Sequence, residues 1–137
     1  MLYPIGIQNF EKLRQGGFSY VDKTDLIHQI AKNGGYYFLG RPRRFGKSLL
    51  ISTMEAYFQG KKDLFKGLAL EKLENEWTEY PVLHLDLSGK EYKSMEDLDV
   101  RLDRHLSLWE SSFDAAKRYP MADARFSDII DTAYEKT

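Results

Sequence analysis

Apolar residues recurring every three or four positions mark most of this chain as helical. Leu26, Ile27 and Ile30 predict a helix that begins at Asp22 or Thr24, whose side-chain oxygens can accept its first amide hydrogens, and runs to about Asn33. Gly34 and Gly35 stop it. Leu49, Leu50, Thr53 and Tyr57 predict a second helix from Lys47 to about Gln59, with Gly60 beyond its end. Leu98, Leu102, Leu106, Trp109 and Phe113 predict a long amphipathic helix over about 94–116, and Phe126, Ile129, Ile130, Ala133 and Tyr134 a last one. Glycines at 6, 16 and 17 break the opening stretch, which reads as a short helix near Asn9 to Arg14 and a turn. Leu64, Phe65, Leu68, Leu70, Leu73 and Trp77 anchor one or two short helices in the charged stretch that follows Gly60.

Two runs have a different character. Tyr36-Tyr37-Phe38-Leu39, bounded by glycines, and Val82-Leu83-His84-Leu85-Asp86-Leu87-Ser88, introduced by Pro81, read as strands of a buried parallel sheet. Strands alternating with helices predict an α/β fold, three layers around a mostly parallel sheet. A single domain is the expectation for 137 residues without a repeat, a low-complexity segment or a linker.

Composition narrows the chemistry. A formal charge of -1 points to no charged partner in bulk. With no cysteine, disulfides and thiolate zinc sites are excluded, and His28, His84 and His105 are too scattered for a histidine metal cluster. His28 reads as a surface residue, His84 as a hydrogen-bonding residue inside a strand, and the aromatic side chains as core. No apolar run approaches the roughly 20 residues a membrane span needs, and the N-terminus lacks the pattern of a signal peptide, so a cytoplasmic chain without membrane contact is expected.

The chemistry-bearing segment is Gly40-Arg41-Pro42-Arg43-Arg44-Phe45-Gly46-Lys47-Ser48, which ends in the Gly-Lys-Ser of a Walker A P-loop. Gly46 allows a backbone turn and a phosphate approach that a Cβ would obstruct. Lys47 supplies a point charge for the β- and γ-phosphates and is the candidate catalytic residue; Ser48 supplies a hydroxyl for magnesium. The helix that follows adds free amide hydrogens and its positive dipole end. Five residues rather than the usual four separate Gly40 from Gly46, and Pro42 removes an amide donor. Arg41, Arg43 and Arg44 offset that loss with positive charge. Phe45 and Leu49 complete the candidate nucleotide-contacting set of Gly40, Arg41, Arg43, Arg44, Phe45, Gly46, Lys47, Ser48 and Leu49, with ATP and magnesium as the expected ligands.

Four segments taken together, Tyr3-Pro4-Ile5-Gly6, Tyr20-Val21-Asp22-Lys23-Thr24, Arg41 to Ser48 and Tyr80 to Ser88, resemble a predicted AAA-ATPase-like family common in Bacteroidetes. The resemblance covers nearly the whole chain and makes the shifted glycine a family trait. It implies an AAA-like P-loop ATPase domain paired with a C-terminal nuclease-like domain, and nucleotide contact by Asp22-Lys23-Thr24. It also implies that a Walker B strand ending in Asp-Glu follows Thr137. On that footing, residues 1–137 are the N-terminal part of the domain and the sheet is incomplete. Hydrolysis is expected only of the intact protein, and unfilled strand edges predict self-association or a rearranged sheet. Asp86 is the internal competitor for the metal-binding carboxylate, but with no second acidic residue after it reads first as a strand-end residue near the site.

Two further readings compete. In one, the basic loop belongs to a non-catalytic module that holds nucleic-acid phosphates or an acidic partner; binding would then weaken steeply with salt. In the other, the loop serves a small-molecule kinase, for which no acceptor site is legible.

Overall fold

Short polar side chains set where several of the helices begin. The computed structural model describes residues 2–42, 46–88, 91–115 and 119–136. They fall into two compact units, Met1–Val82 and Leu83–Thr137.

In the first unit, the Asn9 side chain accepts the Lys12 amide at 3.0 Å and starts α1 (Phe10–Gln15). Helix α2 (Thr24–Asn33) begins where Asp22 Oδ1 accepts the Thr24 amide at 3.0 Å and the Thr24 hydroxyl at 2.7 Å. Further on come α3 (Lys47–Phe58), a 3-10 turn at Lys62–Phe65 and α4 (Ala69–Leu73). The same Asp22 accepts the Ala69 amide through Oδ2 at 2.7 Å, and the buried Thr24 hydroxyl accepts the Leu70 amide at 3.0 Å. One Asp-x-Thr segment therefore organises the first turns of both α2 and α4.

Phe10, Ile27, Ala56, Tyr57, Phe65, Leu68 and Leu70 form the core of this unit. Phe65 lies at its centre, with ring centroids 4.9 Å from Phe10 and 5.3 Å from Trp77. Burying a ring of this size contributes about 1.5–3 kcal/mol, enough for a handful of such residues to hold short helices that would not persist alone. The Tyr57 hydroxyl donates to the buried Glu74 carboxylate, joining the end of α3 to the residue that follows α4.

The second unit is a helical hairpin of α5 (Met95–Phe113) and α6 (Ala122–Lys136), packed through Leu106, Ile129 and Ala133. Its centre is also ionic. Arg125, 5% exposed, donates from Nε to Glu110 Oε1 at 2.7 Å, from Nη2 to Glu110 Oε2 at 3.2 Å, and from Nη1 to Asp103 Oδ1 at 2.5 Å. A guanidinium this buried is tolerated because planar carboxylate partners meet its fork of donors. Ahead of α5, the Asp86 carbonyl oxygen accepts the Arg101 Nε–H at 3.1 Å and lies 2.9 Å from His105 Nε2, which ties the segment before Ser88 to the helix.

The helices lie where the apolar spacing predicts, but the three-layer α/β fold with a mostly parallel sheet does not form. Among the described residues the β pairing is one isolated bridge, Leu2 with Phe18, and no sheet exists. Tyr36 to Leu39 and Val82 to Ser88 form no strand and have no ladder partners among the described residues, and Tyr36 and Phe38 are almost fully exposed. His84, expected inside a strand, is exposed as well. The reason is locality. A helix satisfies its backbone from within four residues, whereas a parallel strand needs a neighbour delivered by a crossover connection. Apolar runs of this length supply the propensity for strands and no partner.

Candidate functional site

Helix α3 starts differently from the others. Gly46 precedes it with φ 80° and ψ 18°, in the left-handed region that a Cβ disfavours, and space is open around the position where a Cβ would stand. The Gly46 carbonyl accepts the Leu50 amide at 2.9 Å and so closes the first helical turn. No side chain among the described residues caps this start, and no acidic residue occupies its first turn. Its leading amide hydrogens thus point outward with the positive end of the helix dipole.

A cleft of about 610 Å³ opens at this place, within the range of about 300–1,000 Å³ usual for small-molecule sites. Gly46, Lys47, Ser48 and Leu49 line one side, and the segment from Pro4 to Gln8 lines the other. The cleft therefore has a polar, amide-rich end and an apolar wall of Pro4, Ile5 and Ile7. Exposed Lys47 donates from Nζ to the Arg41 carbonyl oxygen at 2.8 Å. Among the described residues the partner of its ammonium is thus a neutral backbone acceptor, weaker than an anion would be.

A second cavity, about 440 Å³, shares Gly46 and Leu49 and is walled by Tyr20, Val21, Leu26, Ile30 and Leu39, with Lys23 and Arg41 also among its lining residues. Burial raises the Tyr20 hydroxyl's pKa above the ordinary tyrosine value, outweighing its hydrogen bond with Thr53.

The structure brings together part of the nucleotide-contacting set. Gly46, Lys47, Ser48 and Leu49 share the cleft, and Arg41 joins them through its carbonyl. Gly40 is exposed and lines neither cavity. Arg43, Arg44 and Phe45 lie outside the described residues. Of the Asp22-Lys23-Thr24 trio, Asp22 and Thr24 are engaged in tying α2 to α4, while Lys23 reaches the second cavity.

Asp86 belongs to the second unit. Hydrogen bonds from Ser88, hydroxyl first and amide second, hold its carboxyl below the usual aspartate range. No group of three or more His, Asp or Glu side chains suited to a metal occurs among the described residues. No helix among them is long and apolar enough to cross a membrane.

Tyr3 to Gly6 carries part of the family resemblance, but the sequence assigns Pro4 to Gln8 no place in the site. Its local mark is the Pro-x-Gly spacing of a turn, realised here with Gly6 at φ 72°.

The local geometry is thus a left-handed glycine leading into an uncapped helix start with a lysine at the first helical position. Comparison with known proteins places the chain more closely. Residues 4–137 match the family described as Predicted AAA-ATPase, and the chain belongs to that family. It is 37% identical over 132 residues to an uncharacterized protein in the vnfD 5' region of Azotobacter chroococcum mcd 1. That match covers 96% of this chain and 26% of the relative, so the chain spans about a quarter of the relative's length. No solved structure matches it.

Proposed function

We propose that the cleft between Pro4–Gln8 and the start of α3 binds ATP with magnesium. The observation that carries this reading is the start of α3: amide hydrogens left without a capping side chain, entered through a left-handed glycine, with Lys47 at the first helical position. Phosphate oxygens supply the acceptors that the sequence withholds, and membership of a family of predicted AAA-ATPases fits a nucleotide as their source.

The residues present suit the ligand. Lys47 exchanges the Arg41 carbonyl for a phosphate oxygen, Ser48 offers its hydroxyl to magnesium, and Pro4, Ile5 and Ile7 offer an apolar surface to the base. Arg41 adds positive charge at the rim, and Arg43 and Arg44 are assigned the same task by sequence. Magnesium, when bound, neutralises phosphate charge and fixes its orientation.

Hydrolysis needs a further group to hold the metal and orient water. No carboxylate lines the cleft among the described residues. The proposal for this chain is therefore nucleotide binding, and hydrolysis is proposed for the longer protein of which its relative is an example.

Calorimetry tests the reading. Lys47→Ala removes a charge-assisted contact of about 1.5–3 kcal/mol and should weaken magnesium-ATP binding by roughly 10- to 100-fold while leaving the melting temperature unchanged, because the side chain is exposed. Equal affinity in wild type and variant would refute the assignment. Salt-sensitive binding of an oligonucleotide with no affinity for ATP would transfer the loop to nucleic-acid phosphates.

A further inference from the structure

We infer that Ser52 is a positioning residue that sets the cleft's preference for a nucleoside triphosphate over a bare triphosphate. The inference rests on the cleft being the nucleotide site proposed above.

Ser52 lies one helical turn beyond Ser48 on α3, so the two hydroxyls share a face of the helix. Its Oγ accepts the Phe10 amide hydrogen at 2.9 Å and stands 2.9 Å from the Leu49 carbonyl oxygen and 3.3 Å from the Gln8 carbonyl oxygen. A serine hydroxyl has one hydrogen and two acceptor lone pairs. Ser52 can therefore hold Phe10 while giving its hydrogen to either carbonyl. Both Gln8 and Leu49 line the cleft, and this one oxygen stands within hydrogen-bond distance of the backbone carbonyl of each, its single hydrogen serving one at a time.

The opposite end of the wall is pinned separately. The Ser19 amide donates to the Leu2 carbonyl at 2.7 Å, beside the Leu2–Phe18 bridge. Between the two anchors the segment turns on Gly6, with the Ile5 amide donating to the Tyr3 carbonyl at 3.0 Å. Ile5 stands exposed and contributes little to holding the wall in place. Ser52 thus ties the Gln8 end of the apolar wall directly to α3, beside the burial of Phe10 in the core. Phosphates meet Gly46 to Ser48 whatever the wall does, whereas a base meets the wall only when the wall is in place.

Calorimetry of ATP and of inorganic tripolyphosphate, each with magnesium, tests this on the 137-residue chain. Wild type should bind ATP more tightly than tripolyphosphate. Ser52→Ala should lose roughly fivefold in ATP affinity, the worth of one or two neutral hydrogen bonds, and leave tripolyphosphate unchanged. Ser52→Thr, which keeps the hydroxyl, should restore most of the preference. Ser52→Cys keeps the volume with a much weaker donor and acceptor, and covers the case in which the alanine variant unfolds; it should lose the same preference. A hydroxyl that merely tied α1 to α3 would lower the melting temperature and leave the ratio of the two affinities alone, which would overturn the inference. Equal binding of both ligands by wild type would overturn it too, while leaving the phosphate site intact. Wild type binding neither ligand would bring down the nucleotide reading and the inference with it.

Discussion

Helices α3 and α5 both begin with amide hydrogens that no preceding turn can accept, and the two starts treat them oppositely. At α5 the Ser94 hydroxyl accepts the Asp97 amide at 3.3 Å, and Asp97 returns a carboxylate to the Lys93 amide at 3.0 Å. Glu96 and Asp97 place negative charge against the dipole. At α3 the entering residue is a glycine with no side chain to give, and the first turn carries a lysine and no acid. The same contrast runs through the titratable groups described. Arg125 in the second unit is wholly engaged by Glu110, Asp103 and Ser107, while Lys47 in the first leans on a single backbone carbonyl. A region that satisfies itself gains stability; one that leaves donors over is open to an acceptor.

Breaking the self-satisfied side should cost stability. Arg125→Ala leaves Glu110, 8% exposed at its side chain, as an uncompensated buried charge, and should destabilise the α5–α6 hairpin by about 3–5 kcal/mol in urea denaturation. Breaking the open side should cost less stability and more affinity. Gly46→Ala forces a Cβ into the left-handed region for about 1–2 kcal/mol, read as a lower melting temperature, with weaker ATP binding beside it. Ser94→Ala should cost about 1 kcal/mol, the usual worth of such a cap, and leave ATP affinity unchanged.

The smallest effect is a dependence on acid. Burial works to raise the Asp22 carboxyl, but hydrogen bonds from Thr24 and the Ala69 amide outweigh it and hold the pKa below the ordinary value. A carboxyl depressed in the folded state contributes stability that is fully present above its unfolded pKa, about 3.9, and is lost as pH falls through the lower folded value. Asp22→Asn should flatten the acid limb of the stability curve below about pH 4, measured by thermal melts across pH.

How much of this was legible in the sequence follows from how local each feature is. The starts at Asn9 and Ser94 and the start of α3 after Gly46 all lie within four residues of the groups that specify them. The Gly-Lys-Ser of the loop was readable for the same reason. Strands were misread because Tyr36 to Leu39 has the apolar character of a strand and no partner to pair with among the described residues. The wall of the cleft was hidden for a related reason. Gln8 and Ser52 meet across 44 positions, and neither residue type advertises that contact. Asp22 illustrates the middle ground: its capping of α2 was readable, and its bond to Ala69, 47 positions away, was not.

The central claim, that the amides opening α3 are kept for phosphate, is tested most directly by following backbone amide resonances while magnesium-ATP is added. Gly46, Lys47 and Ser48 should shift strongly and saturably, with Ser94 to Asp97 unmoved. Shifts absent from the α3 start, or no larger there than at the capped start of α5, would contradict it.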